Sequence, residues 1–250
     1  MARAALRLAL TPFALRFRRE VEDADAATGR LGLAAASELL LAAHSGPVEV
    51  RGLDGVPASG PLLVAANHPG GVDTPALMAA LRTRPDLRVL ALDRPFLRAV
   101  PHIAAHLLYV GDSAEGRGGL VRAAASHLRD GGALLTFPAG GIEPDPALRS
   151  ADAVAAVARW SRSPELLARL APGTTVLPAA VSGVLSERWL AHPLSRARAS
   201  VEDRELAAAT LQLVRRDRSI RPRVAFGEPL RGRPDAVTAG LAEAMGALLR

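Results

Sequence analysis

The chain predicts an α/β fold, a single domain with a mostly parallel central sheet flanked by helices, plus an N-terminal helical segment. Three observations carry that prediction. Short, wholly apolar runs such as Leu62–Ala66 read as strands buried on both faces. They alternate with stretches of helical periodicity, the pattern that lays strands side by side in parallel. Pro/Gly clusters fall at strand ends and do not separate two compositionally different halves, so residues 46–250 read as one domain behind a 1–45 helical appendage. With 250 residues, 49% of them hydrophobic, the chain can bury a large core.

In chain order, Leu6, Leu10, Phe13 and Phe17 recur at helical spacing among arginines, a stripe that suits either an interfacial helix lying on a membrane or a helix packed on the body. Thr11-Pro12 has the form of an N-cap and first-turn proline, which predicts two short helical pieces there. A second helix is expected over about 28–43. After Gly46 the alternation of Val48–Arg51 reads as a strand, and the turn signals Asp54-Gly55 and Ser59-Gly60-Pro61 lead into Leu62–Ala66. A helix follows from about Pro75 to Arg82. Further strands are expected at Arg88–Leu92, Leu107–Val110, Ala133–Phe137, Val176–Val181 and Arg223–Phe226, with helices at about 94–100, 117–129, 151–170, 202–216 and 235–249.

Composition narrows the chemistry. The absence of cysteine excludes a disulfide framework, thiolate metal sites and a cysteine nucleophile. No apolar stretch reaches the length of about 20 residues that a membrane-spanning helix needs. All 31 basic residues are arginine and the formal net charge is +6, which favours phosphate-bearing partners: anionic membrane, nucleic acid or phosphorylated substrates. Arginines interleaved with only 3% aromatic residues argue against single-strand nucleic-acid recognition by stacking. His102 and His106 stand four apart, but no glutamate adjoins His102 and no third ligand stands out, so no metal is expected.

Chemistry in open α/β sheets gathers beyond the carboxyl ends of strands. Two such ends are unusual here. The first is Asn67-His68-Pro69-Gly70-Gly71-Val72-Asp73, where the turn can curl Asp73 back onto one imidazole nitrogen and leave the other as a general base. The same residues also suit a plain structural role, with Asp73 or Thr74 capping the helix that begins near Pro75. The second is Phe137-Pro138-Ala139-Gly140-Gly141-Ile142-Glu143-Pro144, whose paired glycines permit close approach of a ligand to main-chain N–H groups or form an ordinary turn. Asn67 is the chain's one asparagine and sits directly before His68, which suggests a local requirement.

In order and spacing these segments resemble the glycerolipid (lysophospholipid) acyltransferase family. Its members carry Asn-His-x4-Asp followed downstream by a Phe-Pro-Glu-Gly block, and here His68 and Phe137 lie 69 apart (137 − 68). Val176–Ala180 resembles the family's proline-containing fourth block and Val224–Leu230 its last strand and turn, so the likeness spans roughly residues 46–235. The resemblance implies that His68 deprotonates an acceptor hydroxyl, that Asp73 orients it, and that N–H groups around Gly140 and Gly141 serve the oxyanion. It implies an acyl thioester donor, acyl-CoA or acyl carrier protein, a lysolipid acceptor, no metal or other cofactor, and a cytoplasmic protein peripheral on the inner face of the cell membrane.

The chain departs from the family pattern in the residues that read the acceptor. Ala139 replaces the block's glutamate and Gly141-Ile142 replace its Thr-Arg, a Phe-Pro-Ala-Gly variant that resembles the hemolysin-like and ornithine-lipid branch, as does the placement of Trp160. Asp112 stands where the second block ends in arginine. Arg117 and Arg149 are the expected substitutes for phosphate contact, and Glu143 for the missing carboxylate. With Asn67 they complete the expected substrate-binding set. Two other functions share this fold: a non-catalytic lipid- or nucleic-acid-binding protein, and a thioester hydrolase.

Overall fold

The computed structural model of the chain describes residues 2–111, 113–232 and 234–250; Asp112 and the side chains of residues 2–10, Leu6 and Leu10 among them, lie outside that description. Seven strands form one sheet: β1 (Glu49–Arg51), β2 (Leu62–Ala66), β3 (Arg88–Leu92), β4 (Leu107–Val110), β5 (Ala133–Thr136), β6 (Thr175–Ser182) and β7 (Arg223–Phe226). Their order across the sheet is β1-β7-β6-β2-β5-β3-β4, and all neighbours are parallel except β6 and β7. Every strand expected from the apolar runs is therefore present.

The period of two in the central strands explains the layers. Leu62, Val64 and Ala66 of β2 face one side with Leu135 and Leu177, under the helices α2 (Leu33–His44) and α3 (Asp73–Ala80). Leu63 and Ala65 face the other with Leu134 and Val176, under α6 (Ala114–Arg129), α8 (Ser163–Leu170) and α12 (Val237–Leu248). Both faces of β2 are fully buried, at about 1.5–3 kcal/mol per large apolar side chain. Pro178 is tolerated inside β6 because its missing N–H faces the irregular segment 227–229: Val176 exchanges hydrogen bonds with Leu230 and Gly227 N–H donates to Pro178 O, so the regular ladder to β7 starts only at Ala179.

The N-terminal expectation needs correction. One helix, α1 (Ala2–Leu31), runs straight through Pro12, with no break at Thr11-Pro12. Residues 11 and 12 are exposed. The second half of α1 buries Ala24 and Ala27, and Asp25 accepts from Ile103 N–H at 2.8 Å. Leu33 and Leu41 of α2 join the main core, so both helices pack on the body.

Three expected helices also divide. The 94–100 stretch is α4 (Pro95–Arg98) followed by α5 (Pro101–Ala104), because Val100 before a proline is pushed out of helical geometry. The 151–170 stretch is α7 (Pro146–Val157) and α8, interrupted around Trp160. The C-terminal stretch opens with a 3₁₀ turn, Pro234–Ala236, before α12. Between β6 and β7 run α9 (Glu187–Leu190), α10 (Pro193–Arg196) and α11 (Val201–Arg215), the first two being single turns too short to leave a periodic signal.

Candidate active site

β2, β5 and β6 are adjacent and parallel, so the loops after Ala66, Thr136 and Ser182 emerge together at one edge of the sheet. The first loop carries the histidine. Gly70 and Gly71 have φ of 86° and 65°, a consecutive left-handed pair that side chains with a Cβ strongly disfavour. That turn brings Asp73, at the start of α3, back to His68: Asp73 Oδ2 accepts from His68 Nδ1–H at 2.7 Å and from Gly70 N–H at 2.6 Å. Asp73 Oδ1 accepts from the N–H and hydroxyl of Thr74. Residue 72, not 73 or 74, occupies the cap position of α3 and makes no side-chain cap bond. The carboxylate is thus turned toward the imidazole.

The Asp73 side chain is 2% exposed and that of His68 28%, so the acid is sealed while the ring reaches solvent. Phe137 stacks on the imidazole with centroids 4.3 Å apart. Burial of the ring opposes its positive charge, but the hydrogen bond and charge of Asp73, with a contribution from Glu143, outweigh it and raise the His68 pKa above 6.5. Among the described residues Nε2 has no protein partner.

Two further buried side chains hold this loop. Asn67 continues the β2–β6 ladder with its carboxamide, donating to Val181 O at 2.9 Å and accepting from Val181 N–H at 2.7 Å. A single donor and acceptor at that reach substitute for a peptide group, and both are occupied, so Asn67 positions the residue after it. Glu143 reaches across from the β5 loop. Its Oε2 accepts from His68 N–H at 2.9 Å, its own N–H donates to His68 O at 2.8 Å, and Oε1 accepts from Trp160 Nε1–H at 2.7 Å. Burial raises the Glu143 pKa, against the lowering effect of the Trp160 and His68 donors and of the nearby charges of His68 and Arg159.

The glycine pair lies beside this clamp. Gly140 N–H closes a turn onto Phe137 O at 3.0 Å, whereas Gly141 N–H has no acceptor among the described residues. Ile142 packs over the first loop, such that a Cβ at position 70 would sit 3.3 Å from its Cδ1.

The remaining expected residues sit on α6 and α7. Arg117 is exposed in the first turn of α6, after the edge strand β4; three strand steps separate β4 from β2, roughly 14 Å at about 4.8 Å each. Arg149 joins α7 to α11, with Nε bonded to Asp152 at 2.8 Å and a terminal nitrogen to Glu205 at 2.9 Å. Its guanidinium is engaged by two carboxylates.

Sequence reasoning missed Asp145. This buried carboxylate accepts from the N–H groups of Ala147, Gly183, Val184 and Leu185 at 2.8–3.0 Å, tying the β5 loop to the β6 loop while capping α7. The Asp145-Pro146 pair was the available signal, an N-cap followed by proline at the first helical position. Likewise Ser163-Pro164 marks the start of α8 and hence the break that delivers Trp160 to Glu143. Asn67, Glu143 and Asp145 thereby lash three adjacent loops into one rigid edge around His68.

Comparison with known proteins agrees with this architecture. A search of curated protein sequences finds no match. The crystal structure of the 1-acyl-sn-glycerophosphate (LPA) acyltransferase PlsC from Thermotoga maritima is similar in fold, with a TM-score of 0.52 at 16% identity over 93% of this chain and 78% of that one. The family model named Acyltransferase matches residues 47–182, which include the loops after β2 and β5 and end with β6. More than half of the chain lies within that match, and the protein belongs to the acyltransferase family.

Proposed function

We propose that this enzyme transfers a fatty acyl group from a thioester donor, acyl-CoA or acyl carrier protein, to a hydroxyl of a lysophospholipid or related lysolipid. The observation that carries the proposal is the His68–Asp73 pair: a sealed carboxylate on Nδ1 and an open Nε2 at the strand ends. In the proposed step Nε2 takes the proton of the acceptor hydroxyl, and the oxygen attacks the thioester carbonyl carbon. The C–O bond forms, a tetrahedral oxyanion results, and its collapse breaks the C–S bond. The departing sulfur recovers the proton from the imidazolium, which Asp73 has stabilised meanwhile. Gly141 N–H is the main-chain donor we assign to the oxyanion.

A glycerolipid acceptor is supported by the activity named for the similar T. maritima protein. Peripheral attachment to a membrane is supported by exposed apolar residues: Phe17 and Leu15 on α1, and Leu92, Phe96 and Ile142 near the carboxyl ends of β3 and β5. Among the described residues no helix is long and apolar enough to cross a membrane.

Purified protein incubated with acyl-CoA or acylated carrier protein and a panel of lysolipids, with products read by mass spectrometry, tests the proposal. The acylated lipid is expected from wild type and about 10²–10⁴-fold less from His68→Ala. Thioester loss with no acylated lipid would indicate hydrolysis instead. Absence of His68-dependent transfer with every pair would sink the assignment.

A further inference from the structure

A second feature of the same sheet edge has no part in the chemistry above. Arg223, the first residue of β7, pairs with Ser182 at the carboxyl end of β6, so the segment before β7 lies on the edge that carries His68. There, α9, His192 and the end of α11 line an open cleft of about 540 Å³. Four arginines line it: Arg188, Arg215, Arg216 and Arg218. One carboxylate, Asp217, faces them, and its Oδ2 already accepts from Trp189 Nε1–H at 2.6 Å. The lining is therefore strongly cationic.

The arginines are held open in different ways. Arg215 and Arg218 are exposed and, among the described residues, their side chains make no ion pair or hydrogen bond. Arg188 lies over the ring of the buried Trp189, 5.2 Å from its centroid, which orients the guanidinium without consuming its donors. Arg216 ends α11 at φ 48°, the sole non-glycine residue with positive φ among those described. Glycine would relieve that backbone strain. The position instead keeps a guanidinium that also pairs with Glu20 of α1.

We propose that this cleft is a phosphate-binding site, separate from the His68 centre, which takes a phosphomonoester or pyrophosphate group on Arg215, Arg218 and Arg188. Planar guanidinium forks suit that chemistry. The phosphatidic acid headgroup and the free phosphates of a soluble ligand both present it. The inference does not depend on the acyl-transfer assignment, because binding is measured without turnover and His68→Ala is expected to bind as wild type does.

The test titrates wild type, R215A/R218A, R188A and a charge-matched control, R122A/R129A on α6, by calorimetry with inorganic pyrophosphate. A parallel arm uses sedimentation with vesicles of equimolar phosphatidic acid and phosphatidylcholine. The substituted side chains are exposed, and thermal melting checks that each variant is folded. Saturable binding of one pyrophosphate per chain is expected, weakened by about tenfold or more in R215A/R218A and in the same direction in R188A, with the control unchanged. The same variant pattern confined to vesicles would assign the phosphate to a lipid headgroup. Equal losses in the control, unchanged binding in R215A/R218A, or no binding in either arm would each overturn the proposal.

Discussion

Replacing Asp73 with asparagine keeps the shape of the side chain while removing its charge and one acceptor. In the native site Oδ2 serves His68 and Gly70 and Oδ1 serves Thr74, so an amide must turn its NH₂ toward a donor whichever way it lies. The electrostatic loss follows from the contact. A 2.7 Å nitrogen–oxygen contact between two delocalised groups puts unit charges about 4 Å apart, worth roughly 4 kcal/mol at an effective dielectric of about 20. At about 1.36 kcal/mol per decade that is roughly three decades of rate, inside the range of about 10²–10⁴ for general-base catalysis. The assay is kcat/KM for acyl transfer across pH. Only neutral imidazole is a base, so wild type should lose activity as pH falls through a midpoint above 6.5, the side to which Asp73 holds His68 against the opposing effect of burial. Asp73→Asn should be slower by about 10²–10³-fold, with that acid limb moved to lower pH. An enzyme as fast as wild type, or one slowed with its acid limb in place, would refute the role given to Asp73. Stability has a matching sign. Because the folded pKa of His68 is raised, the pair's contribution is full below 6.5 and fades as pH rises through the folded value.

Two further substitutions test the loops that carry the dyad. In Glu143→Gln one amide oxygen cannot serve both His68 N–H and Trp160 Nε1–H, so transfer should fall by about 10–100-fold through misplacement of the ring. The lost charge should also lower the His68 pKa and shift the acid limb downward; a fall in rate with no shift would mean that Glu143 acts by packing alone. Asp145→Asn leaves part of a four-donor nest facing an NH₂ group, and urea unfolding should show a loss of about 2–4 kcal/mol. An unchanged midpoint would contradict the lashing role of Asp145.

How much was legible in advance depended on the range of the signal. The central strands declared themselves because burial on both faces demands uninterrupted apolar residues, as in Leu62–Ala66 and Ala133–Thr136, and the edge strand β1 by its alternation. His68 and Asp73 were legible because a short turn with two left-handed glycines can close a five-residue interval on itself. Helix ends were less legible. Pro12 continues α1 on an exposed surface, whereas the break before Ser163-Pro164 places the Trp160 indole on Glu143, a residue of another loop.

The sequence by itself determined the layered α/β architecture and a histidine–carboxylate pair at a strand end, since both follow from local periodicity and turn chemistry. It also marked Asn67 as unusual without showing why. The tertiary structure alone decided what the polar residues are for. Asn67 completes a ladder with Val181, 114 positions away, Glu143 clamps the backbone of His68 from 75 away, and Arg149 is held by Glu205 from 56 away. Buried donors and acceptors must find partners wherever the fold places them, and those partners are set by strand order. The packing of the helices separates an arginine bound by carboxylates, such as Arg149, from arginines such as Arg215 and Arg218 that face an open cleft.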